Sequence, residues 1–308
     1  MAINTGNFGK LLYPGLNTIY GHKYNEKPKE CSAIFESRNS KRAYEEDIGV
    51  TGFGLAAVKT EGNSSAYDTE QQGFLTRYNH IVYSLGFIIT EEMVEDDQYD
   101  TVGQRRTEGL AFSQRQTEEI VSANIFNRAF STSYTYGDAA SLVASAGGGG
   151  SASRPNVSGG TWTNGAATAA DLSEAALEQA LVDIADYEDD RGKKIQVNAK
   201  QLIIANGNQF NAERILGSTL RSGTADNDAN AIRNMGLVPE VVLNHYLTDA
   251  DAWFIQTDMP NGFIKYNRRP MAFSMDNDFD TSNHKYKSAS RYSVGATDMR
   301  CIWGNPGA

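Results

Sequence analysis

From Thr90 to Phe130 the chain contains no proline and only two glycines, Gly103 and Gly109. Apolar positions there are sparse and only roughly helical in spacing: Met93, Val94, Val102, Leu110, Phe112, Ile120, Val121, Ile125 and Phe126. Thr90 is a good N-cap, and Glu91 and Glu92 follow in the first turn, where the helix dipole favours negative charge. An unbroken helix over this stretch would be a rod of about 60 Å, at about 1.5 Å per residue. So few apolar positions cannot bury it in its own subunit. The pattern predicts neighbours, with charges such as Glu118 and Glu119 covering the remaining face.

Ile48 to Phe87 is strand-like with glycine punctuation. Val50, Phe53, Leu55 and Ala57 precede a polar tip, Glu61-Gly62-Asn63-Ser64-Ser65, and the run Phe74 to Tyr83 follows it. This predicts a long β-hairpin. A lone two-stranded hairpin is marginal in water, so this one is expected to lie on a neighbour. Met1 to Asp47 is expected to be an extended arm. Pro14-Gly15 and Pro28 break helices, and Leu11, Leu12, Tyr13, Ile19, Tyr20, Ile34 and Phe35 are spread too thinly for a core of their own.

Ser131 to Ala170, with its run Gly147–Gly150 and Gly159-Gly160, predicts a flexible surface loop. Asp171-Leu172-Ser173-Glu174 is a capping box in its Asp form, opening a helix with the stripe Leu172, Ala176, Leu177, Ala180, Leu181 and Ile184. Arg191-Gly192 is its expected close. Gln201 to Ala205 predicts a short buried strand, and Gln209 to Leu216 a third helix. From Pro239 onward, strands are expected over 241–246, 252–256, 263–266, 271–275 and 286–294. Helices segregated from such a meander give an α+β protein, without the βαβ rhythm of a nucleotide-binding sheet.

The 308 residues leave room for one large domain or two moderate ones, and 40% hydrophobic with 21% charged residues is a globular composition. A net charge of −10 argues against broad phosphate-backbone binding, and the basic pairs Lys41-Arg42, Arg105-Arg106, Lys193-Lys194 and Arg268-Arg269 are each short. No apolar run approaches the roughly 18 residues of a membrane span. Met1 to Lys10 lacks the order of a signal peptide, so the product is expected to stay where it is made. Cys31 and Cys301, nearly a chain length apart, suit a reducing compartment.

Little in the sequence is arranged for chemistry. Gly52-Phe53-Gly54-Leu55-Ala56-Ala57 fits a loose dinucleotide pattern, but Thr60-Glu61-Gly62-Asn63 stops the helix that would receive a pyrophosphate. Asp226 to Asn230 and Asp276 to Asp280 imitate calcium loops, yet lack the glycine and the closing glutamate. His22, His80, His245 and His284 have no metal-ligand spacing. No catalytic residue, cofactor or metal is expected. Asp96-Asp97 with Asp100 suit arginines of an adjacent subunit, for which Arg105, Arg106 and Arg115 are the counterparts.

Several stretches, in order along nearly the whole chain, resemble the major capsid proteins of tailed bacteriophages, in a Mu-like branch of the Hong Kong 97-type fold. They are Ile88 to Tyr99, Asn124 to Phe130, Gln201 to Ala205 with Ala212 to Leu216, and Gly223 to Asp228. Tyr246 to Asp249 with Ala252-Trp253-Phe254, and Arg291-Tyr292 ahead of Gly295 and Arg300, complete the set. The resemblance implies an N-terminal arm (1–47), an extended loop (48–87), a peripheral domain with a spine helix (88–135 and 271–308) and an axial domain (136–270).

It also implies a head subunit that forms pentamers and hexamers of an icosahedral shell around double-stranded DNA, with no sequence-specific binding and no membrane. The subunit would be made in the bacterial host cytoplasm and end in the virion. A separate scaffolding protein is expected, because the helical scaffolding segment that many relatives carry ahead of the arm is missing here. A portal protein and a decoration protein are the other implied partners. Some relatives weld neighbours by a lysine–asparagine bond; Lys59 lies in the hairpin, but no acid and asparagine partner is assigned, so no crosslink is expected. Subunit contacts are expected at Phe53, Leu55, Lys59, Phe74, Asp96, Asp97, Arg105, Arg106 and Arg115. Two rivals remain open at this point: a nanocompartment shell of the same fold, and a soluble hydrolase using the scattered acids.

Overall fold

A computed structural model of the chain describes residues 9–95, 99–148, 150–220, 229–238, 240–279 and 282–308. Its elements, in order, are α1 (Gly9–Tyr24), α2 (Cys31–Ile34), β1 (Glu36–Asn39), β2 (Tyr44–Val50), β3 (Gln72–Asn79), β4 (Ile81–Ile89), α3 (Glu91–Glu95) and α4 (Tyr99–Asn127). They continue as β5 (Arg154–Pro155), β6 (Thr161–Trp162), α5 (Glu174–Ala185), β7 (Ala199–Ile204), α6 (Gln209–Gly217) and α7 (Ala231–Met235). The last are β8 (Glu240–Leu243), β9 (Trp253–Thr257), β10 (Phe263–Asn277), β11 (His284–Ala296) and β12 (Ile302–Asn305). The architecture is α+β.

Two four-stranded sheets organise it, in the orders β1-β10-β11-β4 and β12-β9-β7-β8. The expected meander is therefore corrected, since among β8 to β12 only β10 and β11 are both consecutive and paired. β7 and β8 run parallel, with α6 and α7 on the crossover between them, so the chain does contain one βαβ unit. The strands expected over 263–266 and 271–275 are one long β10. Pro270 sits in it between register shifts, beyond the four residues that pair with β1, where its missing N–H breaks no ladder bond. The strand at 302–305 joins β9 in the second sheet, not the sheet that contains β10 and β11.

Met1–Asp47 is not simply an extended arm. α1 passes through Pro14-Gly15 and buries Leu16, Tyr20 and Tyr24, spaced four apart, against α4, β10 and β11. Pro14 removes the bond that would run back to Lys10 and crowds that carbonyl, and the buried stripe outweighs this. Ile34 and Phe35 are core residues as well, and the Phe35 ring meets Phe126 and Phe263 edge-on.

The long helix is described as α3 and α4, with 96–98 outside the described residues, and the 29 residues of α4 span about 44 Å. Thr90 does cap α3, accepting from the Met93 amide at 3.4 Å. Contrary to expectation, α4 buries a stripe in its own subunit: Leu110, Gln114, Glu118, Ser122 and Phe126, with Thr107, Ala111, Glu119 and Ala123. Much of that stripe is polar, so its period of four does not show in hydropathy.

The segment Ser131–Ala170 is another correction. It has little regular structure, yet Leu142, Val143, Ala144, Ser145, Arg154, Asn164 and Ala166 are buried, and Leu142 and Val143 join the central core with Phe126, Phe254, Phe263 and Ile302. Side chains replace the missing ladder. Asn164 accepts from the Ala144 amide and donates to the carbonyls of Leu142, Met299 and Ile302. α5 starts two residues later than the capping box suggests, with Ser173 as N-cap, and ends at Ala185 rather than at Gly192. Its buried Leu177, Ala180 and Ile184 were expected, as were β7 and α6.

Candidate assembly surfaces

The base of the hairpin lies at Tyr44 and Asn79, not at Ile48 and Phe87 as the sequence suggests. β2 and β3 pair antiparallel from Tyr44↔Asn79 to Val50↔Gln72, whereas Ile81–Phe87 leave the hairpin and pair with β11. Thr51 continues the ladder by exchanging bonds with Gln71, its amide donating to the Gln71 carbonyl at 3.0 Å and its hydroxyl accepting from the Gln71 amide at 2.9 Å. Beyond that point, residues 52–70 carry no ladder, and every one of them is exposed.

Their apolar side chains have no cover. Leu55 is 85% exposed, Val58 95% and Tyr67 95%. Phe53 and Phe74 are exposed too, and so is Lys59. A second apolar surface is β4, an edge strand of its sheet, where Ile81, Val82, Leu85 and Ile88 are all exposed. An uncovered hydrophobic edge strand is a template for pairing. Val58, Tyr67 and the β4 residues were missed as contact candidates. The signal was present, since all are apolar residues in or beside a stretch already expected to lie on a neighbour.

The arginines divide. Arg115 is engaged inside the chain: its Nη1 donates to the Tyr24 carbonyl at 2.8 Å, its Nη2 to the Pro28 carbonyl at 2.7 Å, and its Nε lies 3.5 Å from Glu119. Arg106 is exposed and donates to the Ile88 carbonyl at 2.9 Å. Arg105 is exposed. Asp96 and Asp97 lie outside the described residues.

Glu118 and Glu119 are buried, not a solvent-facing cover. Glu118 accepts from Lys29 at 2.9 Å, from Lys265 and from the Tyr24 hydroxyl. Burial would raise its carboxyl, but Lys265 and Lys29 outweigh burial and bring it down to about 2. Glu119 accepts from the amides of Glu30 and Cys31 at 3.1 and 2.9 Å. Together they fasten the α1–α2 link to α4. Cys31 and Cys301 are both buried free thiols of the same core, and burial pushes the Cys31 thiol up to about 11.

No group of three His, Cys, Asp or Glu side chains is placed to hold a metal among the described residues. Among them, no helix is long and apolar enough to cross a membrane. His80 hydrogen-bonds Ser293 and Ser40, His245 pairs with Glu30, and His284 with Asn277.

Residues 76–305 match the family described as phage capsid protein. No curated protein matches the chain. Among solved structures, the fold is similar to a chain from Microbacterium phage Oxtober96, with a TM-score of 0.52, 11% identity, and 92% of this chain and 93% of that one covered. It is similar to the capsid of a native GTA particle, with a TM-score of 0.51, 14% identity and coverage of 92% and 91%. A virus-like particle from Pyrococcus furiosus has a TM-score of 0.52, 9% identity and coverage of 95% and 98%. Likenesses at such identities show a shared fold across several kinds of particle and do not single out a Mu-like branch.

Proposed function

Because the chain belongs to the phage capsid protein family, we propose that it is the major head subunit of a tailed bacteriophage, closing as pentamers and hexamers into an icosahedral shell around double-stranded DNA. Membership in that family makes it a structural protein and not an enzyme. The observation that carries the finer reading is the hairpin end, whose Leu55, Val58 and Tyr67 stand in solvent with nothing of their own chain to cover them. In this reading the hairpin lies over the adjacent subunit, and the ring contacts are heterologous, one face meeting a different face of the next copy.

α4 is the spine, and the sheet containing β10 and β11 packs on it as the peripheral domain. The sheet containing β7 and β9, with α5 to α7, is the axial domain. A Mu-like ancestry rests on the ordered stretches named above. Scaffolding and portal proteins, a decoration protein and the enclosed DNA are the partners this role brings, and the mature subunit resides in the virion. The net charge of −10 suits a container through which DNA must slide during packaging.

Electron microscopy of the chain co-expressed with a scaffolding protein tests this: closed shells are expected, and a small soluble oligomer under all conditions would refute it. Deleting residues 60–66 should spare the subunit's fold and weaken assembly. The likeness to a virus-like particle supports a second reading, a compartment that holds protein. The content of purified shells, nucleic acid or protein, separates the two.

A further inference from the structure

The exposed end of the hairpin does not leave the body where its ladder ends. Arg191 places Nη1 2.5 Å from Asp68 Oδ2, and its Nη2 donates to the Thr69 carbonyl. Lys193 donates through Nζ to the Phe53 carbonyl. Asp68 in turn accepts from the Gly54 amide at 2.6 Å. One short segment thus holds both arms of the hairpin, residues 53–54 on the way out and 68–69 on the way back.

The segment that does this is itself fixed. Asp189 accepts from the amides of Arg191 and Lys193 at 2.8 and 2.9 Å and lies 3.2 Å from the Lys193 ammonium. Gly192 has φ +71, the left-handed conformation the turn needs. Buried Arg300 donates to the Glu188 carbonyl at 2.6 Å and to Asp190 at 3.0 Å, which anchors the turn to the core.

Gly54 fits the same arrangement. A Cβ there would lie 3.0 Å from Asp68 Oδ2 and 3.4 Å from Arg191 Nη1, so a side chain would crowd the contact. The glycine of a fruitless dinucleotide-like motif thereby acquires a structural reason. The Gly54 and Thr69 amides, followed by Arg191, hold the Asp68 carboxyl below its usual range.

The geometry points to an electrostatic clasp: the turn Asp189–Lys193 grips the waist of the hairpin at Phe53–Gly54 and Asp68–Thr69, fixing its direction in the free subunit and leaving residues 55–67 to project. The clasp goes beyond the shell reading and does not depend on it. Its members are partly exposed, Arg191 by 21% and Asp68 by 45%, so it is sensitive to salt and able to open. A multidentate guanidinium contact supplies direction that a single exposed ion pair would not.

The test uses the unassembled full chain with spin labels at Ala57→Cys and Glu178→Cys, the native cysteines being buried. The distance distribution between labels should be narrow in the parent. It should widen at least about twofold in Arg191→Ala and in Asp68→Asn, and the double variant should widen it no further, because both remove one interaction. Molar salt should widen the parent and leave the double variant unchanged. Unchanged widths in both single variants, strictly additive effects, or indifference to salt would each overturn the clasp. Circular dichroism should show all variants folded, and Gly54→Val provides a second route that leaves every charge in place. Shell formation is scored separately by microscopy, so loss of the clasp and loss of the capsid reading are distinguishable.

Discussion

Arg154 and Asp138 form a two-pronged ion pair, Nε to Oδ2 at 2.8 Å and Nη2 to Oδ1 at 2.9 Å, with the guanidinium fully buried. The remaining nitrogen donates to the carbonyls of Ser141 and Leu142, the latter at 2.9 Å. A stretch with almost no regular structure is thus held in the core by one planar cation, whose fork of donors matches a carboxylate and two backbone oxygens.

Removing Arg154 should therefore be costly. Arg154→Ala takes the guanidinium from Asp138 and the Ser141 carbonyl and leaves the Leu142 carbonyl only Asn164, and breaking such a pair destabilises by roughly 3–5 kcal/mol. Thermal unfolding should show a Tm several degrees lower, and limited proteolysis should open first within 138–166. A variant as stable and as protease-resistant as the parent would show that the segment is held by something else.

The buried cluster on α4 predicts an acid dependence with a definite sign. The Glu118 carboxyl lies near 2 in the folded chain, below its ordinary value of 4.5, because Lys265 and Lys29 outweigh the effect of burial. A depressed carboxylate contributes stability above its unfolded value, and that contribution is lost as pH falls from about 4.5 toward 2, on the order of 2–3 kcal/mol. Urea melts across this window should show the loss in the parent. In Glu118→Gln that part of the pH dependence should vanish, at the cost of lower stability at neutral pH from two cations left unpaired. Retention of the full acid slope in Glu118→Gln would assign it to other carboxylates.

Sequence patterning revealed elements whose burial is apolar and hid those whose burial is polar. α5, β7 and α6 present Leu177, Ile184, Leu202, Ile203 and Ala212 to the core and were legible for that reason. The stripe of α4 repeats every four residues, but Gln114, Glu118 and Ser122 occupy three of its five positions, so hydropathy makes the helix look unburied. α1 was hidden by Pro14, although Leu16, Tyr20 and Tyr24 have the spacing of a buried face. Residues 131–170 were hidden because glycine and serine signal flexibility, whereas here Ser141 and Ser145 bond to buried carbonyls. The hairpin end was legible because Phe53 and Leu55 are apolar in an otherwise polar stretch. The turn that grips it was not, since Arg191-Gly192-Lys193 resembles an ordinary helix close.

Two glycines make an opposed pair. A Cβ on Gly137 would lie 2.4 Å from the Leu75 carbonyl oxygen, in β3, so Gly137→Ala must push the hairpin base away and should destabilise by about 1–3 kcal/mol. Gly109 lies exposed within α4 with nothing within 4 Å of a Cβ, so Gly109→Ala should stabilise by roughly 0.5–1 kcal/mol through helix propensity alone. Denaturant midpoints of the two variants should move in opposite directions. A Gly137→Ala variant as stable as the parent would mean that β3 yields at no cost.

The hairpin end separates stability from assembly. Leu55, Val58 and Tyr67 touch almost nothing in the free chain, so replacing all three with serine removes little buried area, and the subunit's unfolding free energy should stay within about 0.5 kcal/mol of the parent for each change. If the same side chains are covered by a neighbouring copy, their loss removes apolar burial at every such contact of a shell, a penalty multiplied by the number of contacts. Assembly should then fail or require a much higher protein concentration, read by light scattering and microscopy, while circular dichroism and the melt are unchanged. Shells formed at the parent's concentration by the triple variant would place the decisive contacts elsewhere, with the exposed edge of β4 the next surface to substitute.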